Sequence, residues 1–183
     1  GVIGTGAQAR TQLIAAATVR EIEVAHVFSR DEKGRKAFAK EMQRALNISI
    51  KPVESASEAV ADADIVLCAT SSDLPVIRAS QLKPGAHINT VGPKTANGHE
   101  LGLDIADAAD LIVTDSLAQT QTYASPFFLA GSRHEHRMQE LADVVANKVP
   151  GRASPIDTTL FCSVGLAGTE VVVASAIFDA LRD

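Results

Sequence analysis

A short run of small residues, Gly4-Thr-Gly6-Ala-Gln-Ala9, constrains the fold of this chain more than any other stretch. Apolar Val2-Ile3 precedes it, and apolar residues at helical spacing follow it. The pattern predicts a strand, a tight turn at Gly4, and a helix that packs closely on the strand at Ala9. At Gly6 the missing Cβ would let a pyrophosphate approach the backbone at the helix N-terminus, which attracts anions. The stretch therefore predicts dinucleotide binding, with an ordinary strand-turn-helix as the alternative.

Apolar runs alternate with helical segments along the rest of the chain. Predicted strands cover residues 23–28, 48–53, 64–70, 87–92, 111–115 and 158–164, and predicted helices cover 32–46, 138–149 and the tail from 166. A short helix ending at Ala61 is predicted to start at a Ser55 or Ser57 cap. This rhythm is typical of an α/β, Rossmann-type, doubly wound fold, with a mainly parallel sheet and helices on both faces.

The helix at 32–46 has an apolar face and a charged remainder. Phe38, Met42, Ala45 and Leu46 are predicted to face the sheet. The basic residues of the same helix, Arg35 among them, are predicted to lie mostly in solvent.

Length and composition indicate one domain. At 183 residues and 46% hydrophobic content, the chain can bury one core but not two of ordinary size. Residues 1–165 are predicted to form the nucleotide-binding domain, and 166–183 to start a helix that continues into another domain. Only Gly1, Val2 and Ile3 precede the glycine turn, whereas a strand typically has about five or six residues. We therefore expect a truncated first strand and a chain that is part of a longer polypeptide.

Charge and residue usage exclude several classes of partner. A net charge of −5, 4% aromatic residues and no basic run predict no nucleic-acid partner. No apolar run approaches the roughly 18 residues of a membrane span, which predicts no membrane partner and a cytoplasmic location. Cys68 and Cys162 lie in apolar runs and are predicted to be buried thiols rather than a disulfide or a nucleophile. His134-Glu135-His136 lacks the one-turn spacing of a helical zinc pair, so no metal is predicted.

The residues after the second predicted strand bear on the choice of nucleotide. An NAD site usually has a carboxylate there for the ribose 2′-hydroxyl, whereas a 2′-phosphate requires a cation. Here the strand ends in Phe28-Ser29-Arg30, which favours NADP, because Ser29 can donate to the phosphate and Arg30 can pair with it. Asp31 follows directly and leaves NAD open, and a helix cap beside a surface arginine is the non-functional alternative.

Taken together, several motifs resemble the ornithine cyclodeaminase/mu-crystallin family. They are Val2-Ile-Gly-Thr-Gly-Ala-Gln-Ala9, Ser29-Arg30, Asp64-Ile-Val-x-x-Ala-Thr70, Pro84-Gly-x-His-Ile-Asn-x-Val-Gly92, Val149-Pro-Gly-Arg152 and Thr159-Leu-Phe-Cys-Ser-Val-Gly-Leu-Ala167. The resemblance implies a two-domain homodimer whose nucleotide domain is inserted between the two parts of a substrate and dimer domain. It also implies that the substrate-binding half, with its catalytic residues, precedes this stretch.

The resemblance assigns roles to residues of this chain. The pyrophosphate would meet Gly4, Thr5, Gly6, Ala7 and Gln8, the 2′-phosphate would meet Ser29 and Arg30, and the nicotinamide end would meet Ala69, Thr70, Ser71, Val91, Gly92 and Ser163. One position departs from the pattern. The cyclodeaminases have a catalytic aspartate where this chain has Lys94, and a lysine cannot perform the proton transfers of a carboxylate. This substitution argues against ornithine cyclodeamination.

The function implied is that of the cofactor domain of an NAD(P)-dependent oxidoreductase, with NADP favoured over NAD. Its substrates would be a small amino acid and the corresponding imine, as in ketimine reductases and amino acid dehydrogenases. Two alternatives remain open. One is a cyclodeaminase-like lyase that uses bound NAD, and the other is a mu-crystallin-type protein that binds NADP and a small ligand with little turnover.

Overall fold

The computed structural model describes residues 1–182, so Asp183, the last residue of the predicted tail segment, lies outside the described part. Eight parallel strands form the main sheet in the order β3-β2-β1-β4-β5-β10-β8-β9. The strands are β1 Val2–Ile3, β2 Val24–Phe28, β3 Ser49–Pro52, β4 Ile65–Cys68, β5 His87–Thr90, β8 Leu111–Thr114, β9 Met138–Glu140 and β10 Thr159–Cys162. A small antiparallel hairpin of β6 Lys94–Thr95 and β7 Gly98–His99 leaves the carboxyl end of β5.

Helices connect the strands. They are α1 Ala7–Val19, α2 Glu32–Leu46, α3 Ala56–Val60, α4 Leu103–Ala108, α5 Leu117–Thr120, α6 Leu141–Val145 and α7 Ala167–Ala180, with 3₁₀ turns at Ala79–Gln81 and Glu135–Arg137. The parallel sheet and its helical crossovers confirm the predicted Rossmann-type fold.

The order of the strands indicates where in the sheet a ligand is expected to bind. β2 and β3 lie on one side of β1, and β4 and β5 lie on the other, so the direction of winding reverses between β1 and β4. In doubly wound sheets, ligands bind at the carboxyl ends of the strands at such a reversal. β1 is two residues long, and its residues Val2 and Ile3 pair with both neighbours.

Two apolar clusters cover the two faces of the sheet. Because successive side chains of a strand alternate between faces, Val2 joins the cluster of α1 and α2, whereas Ile3 joins the larger cluster on the other face. Phe38 and Met42 of α2 are buried in the first cluster, as predicted. Ala45 is exposed, which corrects the predicted face, and Ala39 is buried in addition.

One predicted helix is wrong in extent. Residues 138–149 were expected to be helical, but Met138–Glu140 form strand β9, which pairs with β8, and the helix covers only Leu141–Val145. Pairing with a strand more than 20 residues away in sequence overrides the local periodicity. The cap of the short helix α3 is Ser55, whose hydroxyl accepts from the backbone N–H of Glu58 at 3.1 Å.

The tail helix α7 has no buried residue. Val171, Val172, Phe178 and Leu181 are 61–81% exposed, so this helix presents apolar surface to the solvent. No helix within residues 1–182 is long and apolar enough to cross a membrane.

Candidate functional site

The glycine loop lies at the carboxyl end of β1, where the winding of the sheet reverses. Gly4 has a φ of +104°, and a Cβ there would lie 2.3 Å from the carbonyl oxygen of Ala69, so this position needs glycine for the backbone alone. At Gly6, by contrast, an added Cβ would meet no atom within 4 Å. Gly6 is also the N-cap residue of α1, which has no side-chain cap and no acidic residue in its first turn. The start of α1 therefore faces open space with its N–H groups available to an anion.

Arg10 braces this loop from the side of α2. Its guanidinium donates to the carbonyl oxygens of Thr5 at 2.7 Å and Gly6 at 3.1 Å. It also makes two hydrogen bonds to the Glu41 carboxylate, at 2.8 and 2.7 Å, and the Glu41 bond raises the pKa of Arg10. Arg10 therefore links the loop carbonyls to Glu41 of α2.

The predicted ribose end lies beside the loop. The Thr5 hydroxyl is 3.4 Å from the Ser29 hydroxyl, which in turn donates to the carbonyl oxygen of Asp31 at 3.1 Å. The Asp31 carboxylate accepts from the backbone N–H of Lys33 at 3.1 Å and caps α2. Arg30 is exposed, and within residues 1–182 its side chain makes no hydrogen bond or ion pair. Asp31 is therefore occupied as a helix cap, and Arg30 can reach toward a ligand.

Arg35 corrects the expectation that the basic residues of α2 lie in solvent. It is only 4% exposed, donates to the carbonyl oxygen of Ser29 at 3.2 Å, and pairs with Glu54. Its guanidinium also lies 5.8 Å from the centre of the Phe28 ring. Arg35 thus fixes the end of β2 from inside the protein, and Arg30 is the arginine left for an external anion.

The predicted nicotinamide end lies at the carboxyl ends of β4 and β5. The Val91 N–H donates to the carbonyl oxygen of Cys68 at 3.0 Å, which keeps the two strand ends together. Just beyond them, one carboxylate bonds both segments. Glu100 accepts from the N–H and hydroxyl of Thr70, both at 2.8 Å, and from the Gly92 N–H at 2.6 Å.

Lys94 is buried at this end of the sheet, 5% exposed, and its ammonium donates to the carbonyl oxygen of Gly92. Burial lowers the pKa of Lys94, while the negative charge of Glu100 opposes that shift. Lys94 is therefore held by the protein rather than extended into solvent.

Ser163 follows β10, the next strand along the sheet. Its backbone N–H donates to the carbonyl oxygen of Thr90 at 3.1 Å, and its hydroxyl donates to the Asp115 carboxylate at 3.1 Å. Asp115 also accepts from the N–H groups of Val164 at 2.7 Å and Gly165 at 2.9 Å. The start of the tail segment is thus anchored beside the nicotinamide end.

The structure brings the predicted site residues to one edge of the sheet. They are Gly4, Thr5, Gly6, Ala7, Gln8, Ser29, Ala69, Thr70, Ser71, Val91, Gly92 and Ser163, with Arg30 exposed at the margin. Sequence reasoning missed the side chains that hold this edge, namely Arg10, Glu100 and Asp115. The only signal for Glu100 was a glutamate beside apolar Leu101, and a buried glutamate is rare enough that sequence alone does not indicate one.

A large groove lies at the other edge of the sheet. It has a volume of about 1200 Å³ and is lined by strand starts such as His87 and Thr159, by Gln12 of α1, and by Val113 and Phe161 on a sheet face. Because these strand starts form the amino edge, the groove does not follow the rule for dinucleotide sites in such sheets. It is a partly uncovered face of the sheet.

The two cysteines and His134, considered above as possible reactive or metal-binding groups, are buried in the protein. Cys68 and Cys162 are free and buried, as predicted, and burial raises the pKa of both thiols, that of Cys162 to about 12. His134 is buried and bonds to Asp107 at 2.5 Å and to Arg137 at 3.0 Å. Among the residues described, no group of three or more His, Cys, Asp or Glu side chains is arranged to hold a metal ion.

Comparisons with known proteins are consistent with this fold. The model of the ornithine cyclodeaminase/mu-crystallin family matches residues 1–183. A Delta(1)-pyrroline-2-carboxylate reductase of Bacillus cereus is 32% identical over 97% of this chain and 56% of its own length. The chain thus spans about half the length of the curated relatives it matches.

Two solved structures share the fold. The Thermococcus litoralis Delta(1)-pyrroline-2-carboxylate reductase in complex with NADH and L-proline has a TM-score of 0.80 and 38% identity, covering 91% of this chain and 53% of that one. An archaeal alanine dehydrogenase dimer with bound NAD has a TM-score of 0.85 and 29% identity, covering 98% and 56%. Both are complexes of dinucleotide-binding oxidoreductases.

Proposed function

Because this chain belongs to the ornithine cyclodeaminase/mu-crystallin family, we propose that it is the cofactor domain of an NAD(P)-dependent oxidoreductase acting on an amino acid/imine pair. The observation that carries the proposal is the open space over Gly6 at the uncapped start of α1, directly beside the point where the sheet winding reverses. A pyrophosphate fits in this space because Gly6 has no Cβ to fill it and the N–H groups at the start of α1 attract anions.

The residues of this chain would bind and orient the dinucleotide. Gly4, Thr5, Gly6, Ala7 and Gln8 would hold the pyrophosphate, Ser29 and Arg30 the adenosine ribose, and Ala69, Thr70, Ser71, Val91, Gly92 and Ser163 the nicotinamide end. When bound, the reduced nicotinamide supplies a hydride to the imine carbon, while the imine nitrogen takes a proton. The protein would contribute the edge of strand ends that binds and orients the ring.

The domain organisation is part of the same proposal. Residues 1–165 would form the dinucleotide domain, and the segment from 166 would lead into a substrate and dimer domain. The exposed valines of α7 and the exposed Phe178 support this, because an apolar surface of that kind marks an interface. We propose that a second copy of the protein covers this surface of α7, and the similar archaeal alanine dehydrogenase is a dimer. Light scattering of the full-length gene product would show a dimer, and a monomer at micromolar concentration would contradict it.

Two measurements test the proposed activity. NADPH and NADH are titrated into the purified chain, and the loss of NADPH absorbance is followed with the full-length gene product and Delta(1)-pyrroline-2-carboxylate. We expect saturable binding and a net loss of absorbance that depends on the imine. Binding without net oxidation would instead favour a cyclodeaminase-like lyase, if ornithine is consumed, or a binding protein, if nothing is. Absence of binding to either nucleotide would overturn the proposal.

A further inference from the structure

Glu100 is a carboxylate with no exposed surface, located directly after β7. One carboxylate oxygen accepts from the N–H and the hydroxyl of Thr70, both at 2.8 Å. The other accepts from the Thr90 hydroxyl at 2.7 Å and the Gly92 N–H at 2.6 Å. Glu100 therefore joins the end of β4 to the end of β5.

The chemistry of the partners requires an acceptor at this position. Two of the four donors are backbone N–H groups, which cannot reverse their role. An ionised carboxylate has about four lone-pair sites and no proton, so these four bonds use its whole capacity. A glutamine of the same size would direct an NH₂ group at two donors, and those bonds would be lost.

Lys94 bonds the carbonyl group of Gly92, the residue whose N–H is bound by Glu100. Its ammonium donates to the carbonyl oxygen of Gly92, whose N–H donates to Glu100, so both polar groups of Gly92 are fixed. A Cβ at Gly92 would lie 2.3 Å from Glu100 and 2.5 Å from the Thr70 carbonyl oxygen. The backbone here is thus packed directly against the carboxylate.

We propose that Glu100 is a positioning residue for the nicotinamide end of the dinucleotide site. It holds Thr70 and Gly92 at a fixed separation, so that the two strand ends present one rigid surface to the nicotinamide ring. This inference rests on the proposed function, since it assigns the ends of β4 and β5 to the nicotinamide. The adenosine end, at β1 and β2, lies on the other side of the winding reversal and does not contact Glu100.

The test compares a whole dinucleotide with a ligand that lacks the nicotinamide. NADPH, NADH and ADP-ribose are titrated into wild type, Glu100→Gln and the control Glu140→Gln. Glu140 is a partly buried glutamate of β9 that accepts from the backbone N–H of Leu117 at 2.7 Å, outside the site. We expect Glu100→Gln to weaken the binding of both dinucleotides at least about tenfold, because charge-assisted bonds are lost. The affinity for ADP-ribose should change by no more than about twofold. Glu140→Gln should leave the affinities for all three ligands unchanged.

Amide hydrogen exchange without ligand supplies an independent measure. The Thr70 and Gly92 N–H groups should exchange faster in Glu100→Gln, whereas the Gly4 N–H, which bonds to Phe28 at 2.8 Å, should not. If Glu100→Gln does not fold, Thr90→Val removes one of the four donors at similar size and should weaken the dinucleotides about threefold.

The outcomes separate this inference from the proposed function. Equal losses for ADP-ribose and the dinucleotides, or no loss in a folded variant, would overturn the positioning role while leaving dinucleotide binding intact. Failure of the wild-type chain to bind any dinucleotide would overturn the proposed function, and the positioning role with it. That result is recognisable because it appears in the wild type.

Discussion

Asp115, at the end of β8, accepts a hydrogen bond of 3.1 Å from the hydroxyl of Ser163, at the end of β10. The same carboxylate accepts from the backbone N–H groups of Val164 and Gly165, where the chain leaves the sheet toward α7. Together with Glu100, it makes the carboxyl edge a surface braced by buried or partly buried carboxylates. Each one takes donors from segments that would meet the nicotinamide.

Asp115→Asn tests the second of these braces. The amide NH₂ would face backbone donors, so we expect a loss of about 1–3 kcal/mol in the free energy of unfolding. Affinity for NADPH should fall as well. The control is Asp110→Asn, because the Asp110 carboxylate accepts from the Thr158 N–H, at 2.8 Å, at the amino edge. Urea denaturation and nucleotide titration of both variants give the comparison. Equal affinities for NADPH in the two variants would argue against a role for Asp115 in the site.

Gly6→Val tests the phosphate cradle. A side chain at position 6 meets no protein atom, so the variant should fold, at a cost of about 1 kcal/mol for a poorer N-cap. Its branches would occupy the space proposed for the pyrophosphate, and dinucleotide binding should be abolished. Circular dichroism and nucleotide titration check the two parts.

Gly4→Ala provides the contrast, since its Cβ would collide with Ala69 at 2.3 Å in a backbone with φ of +104°. We expect this variant to lose about 1–3 kcal/mol of stability from backbone strain alone, before any ligand is added.

Undiminished NADPH affinity in a folded Gly6→Val would refute the assignment of the pyrophosphate site at the start of α1.

The two cysteines should be unreactive in the folded protein. Burial raises the pKa of Cys162 to about 12 and that of Cys68 well above its usual range, so both remain protonated thiols at pH 8. A thiol reagent should label neither until denaturant is added, after which it should label both.

The same shifts have a consequence for stability. The folded pKa values exceed the unfolded value of about 8.5, so the stability contribution is full below that pH and is lost as the pH rises toward 12. Denaturation at pH 7 and pH 10 should therefore show a lower free energy of unfolding at pH 10. Rapid labelling of either thiol in the native protein at pH 8 would show that it is accessible.

Local patterns predicted most of the backbone. The bounds of α2, Glu32–Leu46, match the prediction because the amphipathic period lies within the helix and the Asp31 cap directly precedes it. The strand at Ile65–Cys68 lies within the predicted run because a strand covered on both faces is continuously apolar.

What sequence reasoning missed depends on residues far apart in the chain. Met138 belongs to a strand because β8 supplies its partner. Arg35 is buried because Glu54, 19 positions later, pairs with it. Glu100 bonds to Thr70 and Thr90, 30 and 10 positions earlier, and no local pattern encodes that convergence. The glycine loop was recognisable because it needs only a few consecutive backbone conformations, whereas the braces around it require the folded sheet.

Cofactor choice follows from the charges at the end of β2. We expect NADPH to bind more tightly than NADH, because Arg30 can pair with the 2′-phosphate and Ser29 can donate to it. Asp31 could oppose the phosphate, but its carboxylate is engaged with the Lys33 N–H as the cap of α2. Arg35, a second arginine close to this end of β2, is buried beneath Ser29 and paired with Glu54. Arg30 is therefore the cation on which the preference depends.

Arg30→Ala should weaken the binding of NADPH about tenfold or more, because a charge-assisted pair contributes about 1.5–3 kcal/mol. The affinity for NADH should hardly change. Ser29→Asp should reverse the preference, because its carboxylate repels the phosphate and accepts from the ribose hydroxyl. Arg44→Ala is the matched control, as it removes the same charge from the last turn of α2. Titrations of both nucleotides at fixed ionic strength measure the effects, and salt should reduce the NADPH preference because exposed charges are screened. Equal wild-type affinities, or a preference for NADH, would leave Arg30 as a surface arginine beside a helix cap.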